Sequence, residues 1–144
     1  LPKPKIFTRQ QVISAARTLI NTRFHHQGRV PGVGLDCIGT LVAVARLLGM
    51  DPHDFIQYGK DPDPEQLLEH IRQGMDEIPI SCIAPGDAYL FWWAAPDKPQ
   101  HFAIKTSSNT IVHAYAELRR VQEQPIPPEW RSKIHSGWAF RGVA

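Results

Sequence analysis

Three side chains of this chain have types and spacings that could do chemistry: Cys37, His101 and His113. Cys37 lies in Gly34-Leu35-Asp36-Cys37-Ile38-Gly39-Thr40, and an apolar helical pattern begins at once behind it. A thiol at a helix N-terminus meets unpaired backbone N–H groups and the positive end of the helix dipole, which favour thiolate over thiol and predict a nucleophile. His101 opens one apolar run and His113 lies in another, so a cysteine and two distant histidines suggest a cysteine hydrolase. One imidazole would take the thiol proton and the other would hold it in the right tautomer.

Those residues need elements to hold them. The spacing predicts a first helix over about Thr8 to Ile20, with Thr8 and Gln11 as a capping box and Val12, Ala15, Ala16 and Leu19 on one face. Asn21 to Gly34 reads as a loop broken by Pro31 and Gly32. A second helix is expected from Cys37 to Leu48, closed by Gly49, and apolar on nearly every side, hence central and buried. A third is expected over about Pro64 to Gln73, capped by Asp63.

The rest reads as β. Pro85-Gly86-Asp87 turns into a strand over Ala88 to Trp93, and His101 to Lys105 and Ile111 to Tyr115 flank a hairpin loop over Ser107 to Asn109. Leu118 to Ile126 could add a strand, and Gly137 to Arg141 a closing one. Positions an even number of residues apart share a sheet face, so a short odd loop would set His101 and His113 opposite or diagonal. A helix N-terminus packed on that face would bring Cys37 to His101. Helices first and strands after is the α+β pattern, and 144 residues suit one domain, 1–144.

Composition narrows the function classes. The 42% apolar and 21% charged content is that of an ordinary globular chain with a sizeable core. A net charge of +2 with no basic, aromatic-interleaved stripe gives no nucleic-acid footprint. No apolar run reaches the roughly 18 residues of a membrane span. Leu1-Pro2-Lys3-Pro4-Lys5 has no apolar segment behind it, so no secretory signal is visible in this chain, and the compartment is left open. Two cysteines do not make a disulfide scaffold; a Cys37–Cys82 bridge would silence Cys37, and Cys82 reads as a small buried residue.

Gly34-Leu35-Asp36-Cys37-Ile38-Gly39, Pro85-Gly86-Asp87-Ala88-Tyr89-Leu90-Phe91, His101-Phe102-Ala103-Ile104 and Ile111-Val112-His113-Ala114 together resemble the motifs of the NlpC-type, papain-like peptidoglycan peptidases. The stretch Phe24-His25-His26-Gln27-Gly28-Arg29 looks like the branch found in phage tail modules and gene transfer agents. The resemblance covers about Thr8 to Tyr115. It implies a papain-like α+β fold with Cys37 at the start of the central helix against an antiparallel sheet. It implies hydrolysis of amide bonds in cell-wall stem peptides, often between D-glutamate and a diamino acid, at the bacterial wall and in the setting of a phage-like particle with tail proteins as partners. Cys37 would be nucleophile, His101 general base and then acid, His113 the orienting residue, and the Cys37 N–H an oxyanion donor. No metal or organic cofactor is implied.

The chain departs from that pattern at two places. Ile38 stands where many members have Ser, and Phe24 where many have Tyr, which removes two hydroxyls. His26 or Gln27 could replace the lost donor. Asp36 is expected either to hold a substrate amine or to cap the helix. Trp92 and Trp93 read as core and sheet surface, His53, His70 and His135 as solvated or satisfied, and Tyr58 as a loop residue without a role. Two other functions compete. One is a Cys37/His101/His113 zinc site, which lacks a fourth ligand and close ligand pairs. The other is a tail-assembly protein on the same scaffold whose catalysis has decayed.

Overall fold

The structure, a computed structural model, describes residues 6–144, so the expectation for the first five residues lies outside it. Helix α1 (Arg9–Thr18) starts as expected, with reciprocal bonds between Thr8 and Gln11, and buries Val12, Ile13, Ala15 and Ala16. Helix α2 (Cys37–Leu47) buries every residue from Ile38 to Ala45, which its all-round apolar sequence requires. Helix α3 (Pro64–Gly74) begins with Asp63 accepting from the Gln66 N–H at 3.1 Å, and Leu67 and Ile71 face inward.

Eight strands follow or interleave: β1 (Arg29–Val30), β2 (Gly34–Leu35), β3 (Met75–Ile78), β4 (Ala88–Trp92), β5 (Pro99–Lys105), β6 (Thr110–Tyr115), β7 (Arg120–Pro125) and β8 (Ile134–Phe140). The last six form one antiparallel sheet in the order β3-β8-β4-β5-β6-β7. Its two faces carry separate cores. Ala88, Leu90, Phe102, Ile104, Val112, Ala114 and Trp138 pack with the helices. Tyr89, Phe91, Ala103 and Ile111 pack on the other side with Ile83, Ile126 and Trp130. The alternation along β4, β5 and β6 is the two-residue period of a sheet buried on both faces.

Several expectations are corrected. The segment read as a loop from Asn21 to Gly34 ends in a small hairpin, β1 with β2, which lies against the start of α2. Gly39 permits this: a Cβ there would sit 2.0 Å from the Gly28 carbonyl oxygen. Strand β3, unforeseen, directly follows α3 and pairs with β8, whose partner residues begin at Gly137. Between β6 and β7 the chain makes a 3₁₀ turn over Ala116–Leu118, with Arg119 at φ 61°, so the strand expected from Leu118 starts at Arg120. Cys82 is exposed, not buried, because it lies on the short turn Ile80–Cys82, which packs beside β8 and buries none of its own residues; both cysteines are free thiols.

One irregularity positions the site. β5 and β6 are laddered only at Ile104↔Val112 and Lys105↔Ile111, next to their loop. Toward Pro99 and Tyr115 the two strands have no paired residues with each other, so the hairpin splays open at the end where α2 begins.

Candidate active site

Asp36 caps α2, accepting from the Gly39 N–H at 2.8 Å. Its first oxygen also receives Arg29 at 3.0 Å, and its second receives the Gln27 N–H at 2.9 Å and the Tyr58 hydroxyl. Four donors thus fill the roughly four lone-pair sites of one carboxylate. Arg29 in turn reaches Asp54 (2.9 Å) and the Tyr58 oxygen (2.8 Å). Of the two roles expected for Asp36, the geometry is that of the cap; the carboxylate, 4% exposed, has no site left for a substrate amine. Tyr58, given no role by the sequence, ties the segment between α2 and α3 to this network. The chain's only hint was an aromatic hydroxyl in an otherwise polar segment.

Cys37 is half-buried at the first position of α2. Its Sγ points into the splay between β5 and β6, 3.9 Å from the Gln100 carbonyl oxygen, with the Phe102 and Ile38 N–H groups directed at it. The expectation of a ready thiolate is corrected. Burial, and then the Asp36 carboxylate, push the thiol up to about 12, outweighing the two N–H groups and Arg29.

His101 and His113 come together. Nε2 of His101 is 2.8 Å from Nδ1 of His113, and the rings are 5% and 0% exposed. Continued past its last pair, the Ile104↔Val112 register would set His113 toward Ala103, so the two histidines are diagonal neighbours on one face. That face is the one away from α2, shared with Phe91 and Trp130. The expectation that the helix packs on the histidines' face is corrected: α2 lies on the opposite face, with Phe102, Ile104 and Val112. Cys37 comes from the α2 side and shares a pocket lining with His101.

Trp93, Tyr115 and Trp130 wall the imidazoles in, with ring centroids 5.2 to 5.9 Å from that of His101. Burial, and then His113, hold His101 well below its ordinary value, and burial lowers His113 to about 4. Both rings are neutral at pH 7, so one donates to the other. If His101 donates from Nε2, its Nδ1 is a free base and His113 carries its proton on Nε2, a buried atom with no partner. If His113 donates, His101 has no basic nitrogen to offer. His113 Nε2 is unpartnered in either arrangement, a cost of about 1–3 kcal/mol, but only the one in which His101 donates leaves His101 a basic nitrogen.

Cys37 and His101 line one pocket of about 180 Å³, together with Phe24, His26, Lys60 and Trp93. His26 lies edge-on to Tyr58 at 5.6 Å and lines the pocket. Gln27 is not: its side chain donates to the Tyr58 carbonyl at 2.7 Å and lies outside the pocket lining. Among the described residues no three His, Cys, Asp or Glu side chains converge as a metal-holding group.

No protein-family model and no curated protein matches the sequence. Solved structures do. An NlpC/P60 family protein from Bacillus cereus superposes with a TM-score of 0.69 at 18% identity over 94% of this chain and 41% of that one. A lipoprotein-like NLP/P60 family protein from Staphylococcus aureus gives 0.67 at 17% identity, covering 97% and 44%. The NlpC/p60 domain of the peptidoglycan hydrolase SagA gives 0.61 at 20% identity, covering 92% and 97%. The chain thus spans about two fifths of the first two proteins (41% and 44%) and nearly all of the isolated domain (97%). These likenesses, with the helix-borne cysteine set against a six-stranded antiparallel sheet, give the chain the papain-like α+β fold of the NlpC/P60 proteins.

Proposed function

We propose that this chain is a cysteine hydrolase that cleaves amide bonds in bacterial cell-wall stem peptides. The observation that carries the reading is the His101–His113 bond beside the pocket that Cys37 shares with His101. With Nε2 of His101 engaged, Nδ1 is the nitrogen left to serve the thiol.

In this reading the Cys37 S–H proton passes to Nδ1 of His101 as sulfur attacks the amide carbon. The carbonyl oxygen becomes an oxyanion facing the Cys37 N–H at the start of α2, since the Ile38 and Gly39 N–H groups are directed at Sγ and Asp36. Collapse breaks the C–N bond, and His101 returns the proton to the departing amine. Water then attacks the thioester, its proton taken by His101 and handed back to sulfur, which leaves a carboxylic acid and the free thiol. Because the resting thiol is pushed up to about 12, proton removal belongs with attack on a bound substrate rather than before it. Phe24 contributes no hydroxyl, so His26 is the side-chain donor of that loop that can supplement the Cys37 N–H.

Stem peptides are the substrate class because the fold's neighbours include a peptidoglycan hydrolase domain. The D-glutamyl–diamino acid bond as the one cut follows the motif resemblance, and a phage tail or gene-transfer particle as the setting follows the Phe24–Arg29 stretch. The test is release of stem-peptide fragments from purified wall. Wild-type protein is expected to release them, while Cys37→Ala or thiol-alkylated protein is expected to be inert. Release that survives both treatments overturns the reading.

The decayed-scaffold alternative is favoured by one observation, the high thiol value. No release by the untreated protein, with a folded His101–His113 pair, would establish it.

A further inference from the structure

The charges around the pocket are unequally spent. Asp36, the acidic side chain in its wall, is saturated by four donors, and its charge is met by Arg29 at 3.0 Å. Lys60 lines the same wall from the segment between α2 and α3, is exposed, and has no carboxylate partner among the described residues. Two contacts hold that segment against the site. Tyr58 anchors it to Asp36 and Arg29, and Asp61 accepts from Gln100 Nε2 at 2.9 Å, next to His101. Lys60 is thereby presented at the pocket mouth between two fixed points. The pocket's acidic group is internally neutralised and its exposed cation is not.

We propose that Lys60 is a specificity-determining residue that selects peptides bearing a free carboxylate beside the scissile amide, and that Asp36 takes no part in substrate recognition. This rests on the hydrolase reading for the identity of the peptide, though not for its charge. A cation at the rim of a cleft with low-dielectric walls attracts an anionic ligand and loses that advantage as salt rises.

The test compares two synthetic D-glutamyl–diamino acid peptides. They are γ-linked and identical except that the glutamyl α-carboxyl is free in one and a carboxamide in the other. Binding is measured on Cys37→Ala protein and turnover on protein with Cys37 intact. The carboxylate peptide is expected to bind about three- to fivefold more tightly at low salt and to show the lower KM, the size of one exposed charge contact. Lys60→Gln should remove the difference and Lys60→Arg should restore it, and 0.5 M salt should shrink it. Acetylating the peptides' N-terminus should leave both affinities unchanged, since Asp36 is occupied. Equal affinities for the two peptides, a difference that persists in Lys60→Gln, or a large loss on acetylation overturns the proposal while leaving a thiol-dependent cleavage intact. A charge preference without any cleavage overturns the hydrolase reading and keeps the proposal. Failure to bind either peptide overturns both.

Discussion

The molecule contains two hydrogen-bonded histidine pairs, and they differ in almost everything but chemistry. His101 and His113 stand on a sheet face, 5% and 0% exposed, across the splayed end of β5 and β6 from a thiol. His53 and His70 lie behind α2, joined at 3.0 Å, half-buried, with Phe55 stacked on His70 at 4.2 Å. They border a second cavity, of about 190 Å³, walled by Leu41, Val42 and Met75, with no cysteine in its lining. An imidazole pair is therefore not in itself a catalytic device. The first pair differs because its rings are sealed by aromatics, one ring nitrogen is buried without a partner, and a thiol lines the same pocket as His101. The second is a stacked aromatic packing element, half-open to solvent, whose rings share one hydrogen bond.

The comparison is broken most directly by removing each side of the first pair's partnership. Cys37→Ala is expected to abolish fragment release, and His101→Ala to lower it by about 10² to 10⁴, the worth of a general base. Either variant retaining near-normal turnover would put the two pairs on the same footing. His113→Ala comes next, with kcat expected to fall by about 10² to 10³ and KM little changed, because the ring acts through His101. His113→Asn, which keeps an acceptor near the position of Nδ1, should recover part of that loss, whereas a purely structural His113 would show no such rescue.

A third prediction concerns stability and sharpens the contrast. Burial lowers His113 to about 4, against 6.5 for the unfolded chain. The unfolded state then binds the extra proton between pH 6.5 and 4. The ring's contribution is fully present above pH 6.5 and lost as pH falls toward 4, about 3 kcal/mol in all. Urea midpoints should drop over that window, and the drop should shrink in His113→Gln, with the share owed to buried His101 remaining. Alkylation offers a fourth. With the thiol pushed up to about 12, the rate should climb roughly tenfold per pH unit through pH 9 without a plateau. A plateau near neutrality would mean a preformed thiolate–imidazolium pair. The smallest effect belongs to the second pair. His70→Ala should cost about 1 kcal/mol of stability, for one half-exposed bond and a stacked ring, and change turnover less than twofold.

Local chemistry carried much of this into the sequence. The α2 start was legible because Asp36 caps, Gly39 admits a close backbone approach and the next residues are apolar on all sides. The His101–His113 pairing was legible because twelve residues and a three-residue loop leave both side chains on one face. β3 was not, since Met75–Ile78 alternates too briefly to stand out and becomes a strand only by pairing with β8. Tyr58 was missed for a related reason: its partners Arg29 and Asp36 are 29 and 22 residues away, and nothing local marks them.

By itself the sequence determined which residues could react and which face of which element they occupy, because capping, periodicity and turn length act over a few residues. Tertiary structure alone decided on which side of the sheet the helix lies and where the strands part. It also decided that Asp36 is spent on Arg29 and Tyr58, and that burial drives the Cys37 thiol upward against the pull of the helix start. Those outcomes are sums over neighbours distant in the chain, and a charge's energy is set by the whole of its surroundings rather than by the residues beside it.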